Sequence, residues 1–318
     1  MKFKATLLAA AILAVAAPAQ AESVKIGVPN WVGAKAIANL IKVVVETKMG
    51  GTTDMVPGTN ASIFAGMDRG KGEIDVHPDV WLPNQETFTN EYVKKKKTVV
   101  LSKNPYVGRQ GFCVSREFSK KHKVTSIFDL TRPEVAKAMD SDGNGKGEIW
   151  IGAPGWASAN VNEIKVRDYG LMAFMEPIRA EQSVMTARVG DSIKKKQGYA
   201  FYCYSPHAIW NMFDIVRLKE PKFDPKKYIM VQPKQSADWK KKSKVMTEDA
   251  LKAVQIAYSK SLEKRSPTIA AFLRNMKLDS DTVSNLVFEI AAKRRDPAEV
   301  AKEWVAKNGK RVDSWLGL

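Results

Sequence analysis

In the first part of the chain, apolar and polar residues follow two different periods, one typical of strands and one typical of helices. Residues 24–28 alternate with the period of two that is typical of a strand, and residues 34–48 place their apolar side chains on one helical stripe. A second strand near residues 53–56, a short helix after Asn60 and a third strand at residues 74–76 follow. This β-α-β-α-β order predicts an α/β protein whose first half holds a mostly parallel sheet.

The second half of the chain continues the mixture of strands and helices. Further strand-like apolar runs are found at residues 111–115, 149–151, 198–204 and 214–218. A later run at residues 254–259 is interpreted as a strand that returns to the first sheet. The tail is predicted to be helical, because Ser266-Pro267 and Asp296-Pro297 each pair a capping residue with a proline at the first helical position.

The N-terminus has the pattern of an export signal. Lys2 and Lys4 precede an apolar run at residues 7–17, and Ala19-Gln20-Ala21 provides the small residues of a cleavage site. Glu22, where a lipoprotein would need Cys, follows directly. No later run approaches the roughly 20 apolar residues of a membrane span. Residues 1–21 are therefore predicted to be a cleaved signal peptide, and the mature protein is expected in the periplasm.

Charge and cysteine content exclude some functions and leave others open. The formal net charge of the 318 residues is +17, but the lysine clusters are spread along the chain without interleaved aromatic residues. We therefore expect a solvated basic surface and no nucleic-acid site, while an acidic partner or a membrane surface stays open. Cys113 and Cys203 both lie in strand-like runs, and the sequence leaves open whether they form a disulfide.

Aromatic side chains collect at the ends of the predicted strands. Trp31, Trp81, Trp156 and Tyr204 each follow a strand and lie near Pro or Gly. Any one of them alone is explained by ordinary packing. Ligands of open α/β sheets bind at the carboxyl ends of strands, however, and aromatic faces attract desolvated cations. The four residues together therefore favour an aromatic cage for a cation over packing alone.

A predicted helix begins beside Trp156. Helical spacing resumes at Ala157, with Ser158 or Asn160 as candidate N-caps, and the free N–H groups of a helix N-terminus attract an anion. A cation site and an anion site side by side suit a small zwitterion with a quaternary ammonium group and a carboxylate. His207 follows Tyr204 closely and is interpreted either as a hydrogen-bond partner of that carboxylate or as a packing residue.

Residues 140–148 resemble a calcium-binding loop of the EF-hand type. Its oxygen ligands would be Asp140, Asp142, Asn144, the carbonyl group of Lys146 and Glu148. Gly145 occupies the turn position, but Ile151 stands where the bidentate Glu is expected. The sequence leaves two interpretations open, a structural calcium site and a metal-free turn. No catalytic or nucleotide-binding motif is present, so neither an enzyme nor a cofactor for chemistry is predicted.

Three motifs carry a family resemblance, namely DVWLPN at residues 79–84, APGW at residues 153–156 and FYCYSPH at residues 201–207. Through them, and in order and spacing over most of residues 24–318, the chain resembles the substrate-binding proteins of glycine betaine/choline-type ABC importers. The resemblance implies a two-lobed, type II clamshell fold with the ligand in the cleft between the lobes. Lobe 1 would comprise residues 22–108 and 240–318, and lobe 2 residues 109–239.

The resemblance also implies roles for single residues. Trp81, Trp156 and Tyr204 would form the cage, joined in some members by an aromatic residue that matches Trp31. The amides of Ala157 and Ser158 would bind the ligand carboxylate.

The chain departs from the family pattern at two places that concern the ligand. Gly33 and Ala34 stand where choline-specific members have an acidic residue, which disfavours choline. Gln85 stands where some betaine binders have a His that contacts the ligand carboxylate, which makes His207 the stronger candidate for that contact in this chain.

Glycine betaine or a related methylated ammonium or sulfonium osmolyte is therefore the expected ligand. Trimethylamine N-oxide and dimethylsulfoniopropionate stay open, and the expected partner is an ABC permease that receives the ligand from a monomeric binding protein. The alternative is an exported enzyme or lectin-like module that uses the same aromatic-lined cleft.

Overall fold

The computed structural model of the protein describes residues 23–318, so the predicted signal peptide lies outside the described residues. The strands are β1 (Ser23–Val28), β2 (Thr52–Pro57), β3 (Val76–Leu82), β4 (Val99–Leu101), β5 (Tyr106–Ser115), β6 (Gly147–Gly152), β7 (Met175–Arg179), β8 (Ala200–Ser205), β9 (Ile215–Arg217), β10 (Tyr228–Ile229), β11 (Lys244–Val245) and β12 (Lys252–Ser259).

The helices are α1 (Val32–Lys48), α2 (Asn60–Arg69), α3 (Glu86–Thr89), α4 (Arg116–His122), α5 (Pro133–Met139), α6 (Ala157–Asp168), α7 (Gln182–Lys194), α8 (Ile209–Met212), α9 (Trp239–Lys242), α10 (Leu262–Arg265), α11 (Pro267–Asn275), α12 (Ser280–Ala291), α13 (Pro297–Lys307) and α14 (Gly309–Leu316). A π-helical segment at Asn90–Lys95 follows α3, and short 3-10 turns lie at Ile127–Thr131, Leu171–Ala173 and Pro225–Lys227. In residues 23–318, no helix is both long and apolar enough to cross a membrane.

The first half of the protein, which comprises strands β1 to β4 and the returning strand β12, forms the predicted parallel sheet with antiparallel additions. Strand β1 pairs in parallel with β2 and β3, and β12 then joins β3 in the antiparallel sense. Helix α1 buries its apolar stripe, including Ile37, Leu40 and Ile41, and packs against α12 and α13. The return of β12 to the first sheet therefore agrees with the sequence-based prediction, and the C-terminal helices cover the same half.

Strand β5 belongs to both halves of the protein. Its first residues, Tyr106 to Gly108, pair with β12, whereas Arg109 to Cys113 pair with β8. In the second half, β6 lies between β8 and β7 and is parallel to both. The short strand β11 follows residue 240 but packs near α6, with the Val245 amide donating to Asp168 at 2.7 Å. The lobe boundaries given by the sequence stay a prediction.

A disulfide joins the two central strands of the second half. Cys113 of β5 and Cys203 of β8 are bonded, which answers the question that the sequence left open. The bond closes a loop with a sequence separation of 90 residues. In the chain-entropy description, a loop of that length stabilises the folded state by roughly 4–5 kcal/mol.

Three sequence-based boundaries near the aromatic residues were wrong. Strand β3 runs from Val76 to Leu82 and β8 from Ala200 to Ser205, so Trp81 and Tyr204 lie within their strands instead of after them. Pro78 does not end the strand, because the pairing of β3 with β12 shifts register beside it: two residues of β3, Pro78 and Asp79, stand opposite one residue of β12. Proline is tolerated in a strand at such a bulge. Helix α6 begins at Ala157 with Trp156 in the N-cap position, not Ser158 or Asn160.

Candidate ligand-binding site

Four aromatic side chains from both halves of the chain meet around one small cavity. This aromatic cluster consists of Trp31, Trp81, Trp156 and Tyr204. Ring centroids are 5.9 Å apart for Trp31 and Trp156, 5.5 Å for Trp81 and Tyr204, and 6.0 Å for Trp156 and Tyr204. The three pairs are nearly perpendicular, at 82°, 84° and 77°.

The cavity has a volume of about 30 Å³. Its lining residues are Trp31, Asn60, Trp81, Asn84, Gln85, Gln110, Trp156, Ala157, Ser158, Tyr202 and Tyr204. The structure therefore brings the four predicted aromatic residues and both predicted amide residues to one place.

A buried carboxylate holds two of the indoles. The Nε1–H groups of Trp31 and Trp81 donate to Asp79 Oδ2 at 2.5 and 3.0 Å, and the Tyr106 hydroxyl donates to Oδ1 at 2.5 Å. Burial raises the pKa of Asp79, and these three donors work in the opposite direction. Sequence reasoning missed Asp79, although an acidic residue two positions before Trp81 in an apolar run was a usable signal.

Trp156 is held from the other side of the cluster. Its Nε1–H donates to Asn30 Oδ1 at 2.7 Å, and Asn30 Nδ2 in turn donates to a Glu181 carboxylate oxygen at 3.0 Å. The Trp150 ring packs against Trp156 at 5.7 Å between centroids and is itself fully buried. Asn30 follows β1 in the first half, so this contact connects the two halves beside the cavity.

The N-terminus of α6 reaches the cavity next to Trp156. Ala157 and Ser158 both line the cavity, and the amides of the first turn of a helix have no partner within the helix. No acidic side chain lies in the first turn, and Trp156 supplies no side-chain cap. The partial positive charge of the helix end is therefore available to an anionic group.

Two buried amide side chains of the first half also line the cavity, and the sequence did not single them out as ligand contacts. Gln85 is 3% exposed, and its Oε1 has no hydrogen-bond partner among the described residues. Asn60, at the start of α2, is 4% exposed. Gln85 stands where some family members have His, and that departure was the available signal. No such signal marked Asn60.

His207 lies behind the cluster, outside the residues that line the cavity. Its ring packs against Tyr204 at 4.7 Å between centroids, and its Nδ1 accepts from the Ile209 amide at 2.9 Å. Its Nε2 contacts the side-chain amide of Gln182. Burial lowers the pKa of His207 to about 3, so the ring is neutral at physiological pH. The structure thus places His207 as a support for Tyr204, and its contact with a ligand stays a prediction.

A buried charge cluster lies beside the site. Lys165 donates to Glu220 and Asp249 at 2.8 and 2.7 Å, and Lys252 donates to Asp249 at 2.7 Å. All four side chains are at most 2% exposed, and two positive charges meet two negative ones. Lys252 also donates to Asn84 Oδ1 at 2.8 Å, which attaches the cluster to the cavity wall.

A chain of hydrogen bonds continues along that wall. Asn84, which follows β3, donates to Gln110 of β5 at 2.9 Å. Gln110, Tyr202 of β8 and Ser158 of α6 line the same cavity. The polar side of the cavity is therefore formed by side chains from β5, β8, α6 and the segment that follows β3.

The predicted calcium loop is closed by its own hydrogen bonds. Asp140 accepts from the amides of Gly143 and Gly145 at 2.8 and 2.9 Å, as in an Asx turn. Glu148 bonds to Ser141 and lies 3.4 Å from Arg188. Within residues 23–318, no three His, Cys, Asp or Glu side chains form a group that could hold a metal ion.

The remaining loop residues take part in the same kind of contact. Asp142 accepts from the Asn144 amide at 3.1 Å, and Asn144 Oδ1 accepts from the Lys146 amide at 2.8 Å. Calcium binding by this loop stays a prediction.

A family model now places this fold and site among known proteins. The model for the substrate binding domain of the ABC-type glycine betaine transport system matches residues 22–307. The chain belongs to this family, as its motifs predicted. The family is one of solute-binding proteins rather than enzymes, and nothing in these comparisons supports the enzyme or lectin-like alternative.

Individual relatives are distant in sequence. The chain is 22% identical over 218 residues to the glycine betaine-binding periplasmic protein OusX of Dickeya dadantii, covering 65% of this chain and 63% of OusX. It is 20% identical over 214 residues to the glycine betaine/proline betaine-binding periplasmic protein of Escherichia coli, with the same coverage. The matched region thus spans about 63% of the length of these curated relatives.

Solved structures show the same fold. Lactococcal OpuAC, in a closed conformation complexed with glycine betaine, has a TM-score of 0.71 and 22% identity, covering 93% of this chain and 99% of OpuAC. An ABC-transporter choline binding protein in complex with choline also has a TM-score of 0.71, with 15% identity and coverage of 93% and 91%. The two-lobed periplasmic-binding-protein fold is therefore confirmed.

Proposed function

We propose that the protein is an exported solute-binding protein that captures glycine betaine or a related methylated ammonium or sulfonium osmolyte. The observation that carries the proposal is the aromatic cluster, in which four rings from both halves of the chain surround one cavity. Each ring that faces a desolvated cation contributes on the order of 0.5–2 kcal/mol. Four such rings and a few charge-assisted hydrogen bonds suffice for micromolar affinity after the costs of association.

The N-terminus of α6 supports a zwitterion over a simple cation. Ala157 and Ser158 lie beside Trp156, so a carboxylate attached to the ammonium group through a short linker reaches both amides. Gly33 lies beside the Asp79 carboxylate and carries no side chain of its own to bind a hydroxyl group. Glycine betaine is therefore favoured over choline, and trimethylamine N-oxide and dimethylsulfoniopropionate belong to the same ligand class.

Family membership supports a proposed partner and location. The bound ligand would be delivered in the periplasm to the membrane permease of an ABC importer, by a monomeric binding protein that residues 1–21 direct to export. No cofactor takes part in binding. A calcium ion in the loop at residues 140–148 would brace strand β6, which leads to Trp156, and would have a structural role only.

Isothermal titration of the mature protein with glycine betaine tests the proposal. Trp81→Ala and Trp156→Ala should each weaken binding by roughly 1–3 kcal/mol, because each removes one face for the cation. Trp304→Ala is the control, since Trp304 lies on α13 and packs against Trp315 away from the cavity. Unchanged affinity in both cavity variants, or no binding of any methylated ammonium compound by the unaltered protein, would refute the proposed function.

A further inference from the structure

Asn60 occupies the wall of the cavity that belongs to the first half of the chain. It is the first residue of α2, which Thr59 caps through its side chain, and the Asn60 side chain is 4% exposed. Ala157 and Ser158 line the same cavity from the second half. A ligand in the cavity therefore has Asn60 on one side and the α6 amides on the other.

A buried histidine fixes the orientation of the Asn60 side chain. The Asp79 amide donates to His77 Nδ1 at 3.2 Å, so that ring nitrogen acts as an acceptor and carries no proton. The proton of the neutral ring is then on Nε2, which lies 2.9 Å from Asn60 Oδ1 and donates to it. His77 is completely buried, and burial lowers its pKa to about 3, so this tautomer persists across the physiological pH range.

The remaining polar atom of Asn60 is a donor without a protein partner. Oδ1 is occupied by His77, and Nδ2 makes no hydrogen bond within residues 23–318. Because Asn60 lines the cavity, this donor is available to a ligand, and a hydrogen bond to an ionised acceptor is stronger than one to a neutral acceptor. A ligand oxygen in the cavity pairs with the donor, whereas a ligand without an acceptor leaves it unpaired.

We infer that His77 and Asn60 together form a second binding group for the ligand's oxygen. It is a hydrogen-bond donor on the first half of the protein, and it faces the Ala157 and Ser158 amides on the second half. This inference rests on the proposed function and specifies its ligand class. The site selects methylated ammonium or sulfonium compounds that carry an anionic oxygen, and it discriminates against cations without one. Asn60 contacts the ligand, and His77 is the positioning residue that keeps the amide group of Asn60 turned towards it.

Asn60→Asp is the sharpest test, because the variant keeps the shape of the side chain and an acceptor for His77. Two probes are titrated calorimetrically into the mature protein, glycine betaine and tetramethylammonium, the second of which has no oxygen. We expect glycine betaine to bind about ten- to hundredfold more weakly, since a charge-assisted donor is replaced by a like charge. Tetramethylammonium affinity should be unchanged or higher, because a carboxylate attracts the cation.

Asn60→Ala and Asn39→Asp complete the experiment. Asn60→Ala removes the donor without adding charge and should weaken glycine betaine alone, by about tenfold. Asn39→Asp makes the same chemical change on α1, where the side chain bonds only to the Lys35 carbonyl, and should leave both ligands unaffected.

The outcomes separate this inference from the proposed function. If the unaltered protein binds neither probe, the proposed function fails and the inference fails with it. If the unaltered protein binds glycine betaine, and both Asn60 variants keep the unaltered protein's ratio between the affinities for glycine betaine and tetramethylammonium, the proposed function stands and the inference is overturned. A selective loss of glycine betaine in both variants supports the inference.

Discussion

The Asp79 carboxylate offers a test of how the aromatic cluster attracts a cation. Asp79→Asn removes the charge and keeps a partner for each group, because the amide oxygen accepts from the indoles of Trp31 and Trp81. The amide nitrogen donates to the Tyr106 hydroxyl, which is the donor in the wild type. Asp79→Ala, by contrast, leaves three buried donors unpaired at roughly 1–3 kcal/mol each. The Asn variant therefore isolates the electrostatic contribution.

The size of that contribution follows from Coulomb's law. For an assumed separation of about 7 Å between the carboxylate and a cation over the indole faces, at an effective dielectric constant of about 20, their attraction is about 2 kcal/mol. That energy corresponds to about a 30-fold change in affinity. Glycine betaine should lose less than tetramethylammonium, because its own carboxylate is repelled by Asp79 at a longer distance.

The assay is calorimetric titration of both ligands over a range of pH. Burial raises the pKa of Asp79 above its ordinary value of 3.8, so the wild-type charge develops as the pH rises through that raised pKa. Cation affinity should increase over this window in the wild type and stay flat in Asp79→Asn. The same shift means that stability from this group is greatest below pH 3.8 and is lost as Asp79 ionises.

Equal affinities in the wild type and Asp79→Asn, with matched melting temperatures and no pH dependence in either, would refute this reasoning. Asp79 would then serve only as a hydrogen-bond anchor for the two indoles.

Three further predictions concern motion, stability and metal binding. Saturating glycine betaine should lower the radius of gyration in small-angle scattering, because both halves of the protein contribute to the aromatic cluster and close around the ligand. The same decrease in a Trp81→Ala/Trp156→Ala double variant that no longer binds would count against ligand-driven closure. Burial raises the pKa of Asp249, but the positive charges of Lys165 and Lys252 outweigh burial and hold the pKa below the ordinary value of 3.8. The ionised Asp249 therefore stabilises the folded state above pH 3.8, and this stabilisation is lost as the pH falls through the lowered pKa. Asp249→Asn should therefore lower the free energy of unfolding, measured with urea at pH 7, by about 3–5 kcal/mol. It should also weaken the decrease of this free energy at acidic pH, and an unchanged decrease would contradict this assignment. If the loop at residues 140–148 binds calcium, a chelator should lower the melting temperature of the wild type but not of Asp142→Ala, whereas a chelator-insensitive melt would assign it to a plain turn.

The sequence by itself predicted the features that depend on neighbouring residues. Periods of two and 3.6 identified β1, α1 and the return of β12, since each pattern is set by one strand or helix against a common core. Pro and Gly next to Trp31, Trp156 and Tyr204 marked the right segments, and the three motifs identified the family. The error at β3 came from placing the third strand at residues 74–76, whereas the register shift between β3 and β12 lets the strand continue through Pro78 to Leu82.

The tertiary structure decided which distant side chains meet. Trp31 and Asp79 are 48 residues apart, and Lys252 and Asn84 are 168 apart, so no local pattern connects either pair. The pairing of Cys113 with Cys203 depended in the same way on β5 and β8 being neighbours.

The roles of the histidines were also decided by the fold. His207 was a candidate ligand contact in the sequence and His77 was not, yet His207 supports Tyr204 from behind while His77 orients Asn60 in the cavity wall. Both rings are buried and neutral, and their contacts distinguish them. The partners of His207 include Ile209 and Tyr204, whereas those of His77 include Asn60. These partners are fixed by the packing of whole strands and helices, which a linear sequence does not display.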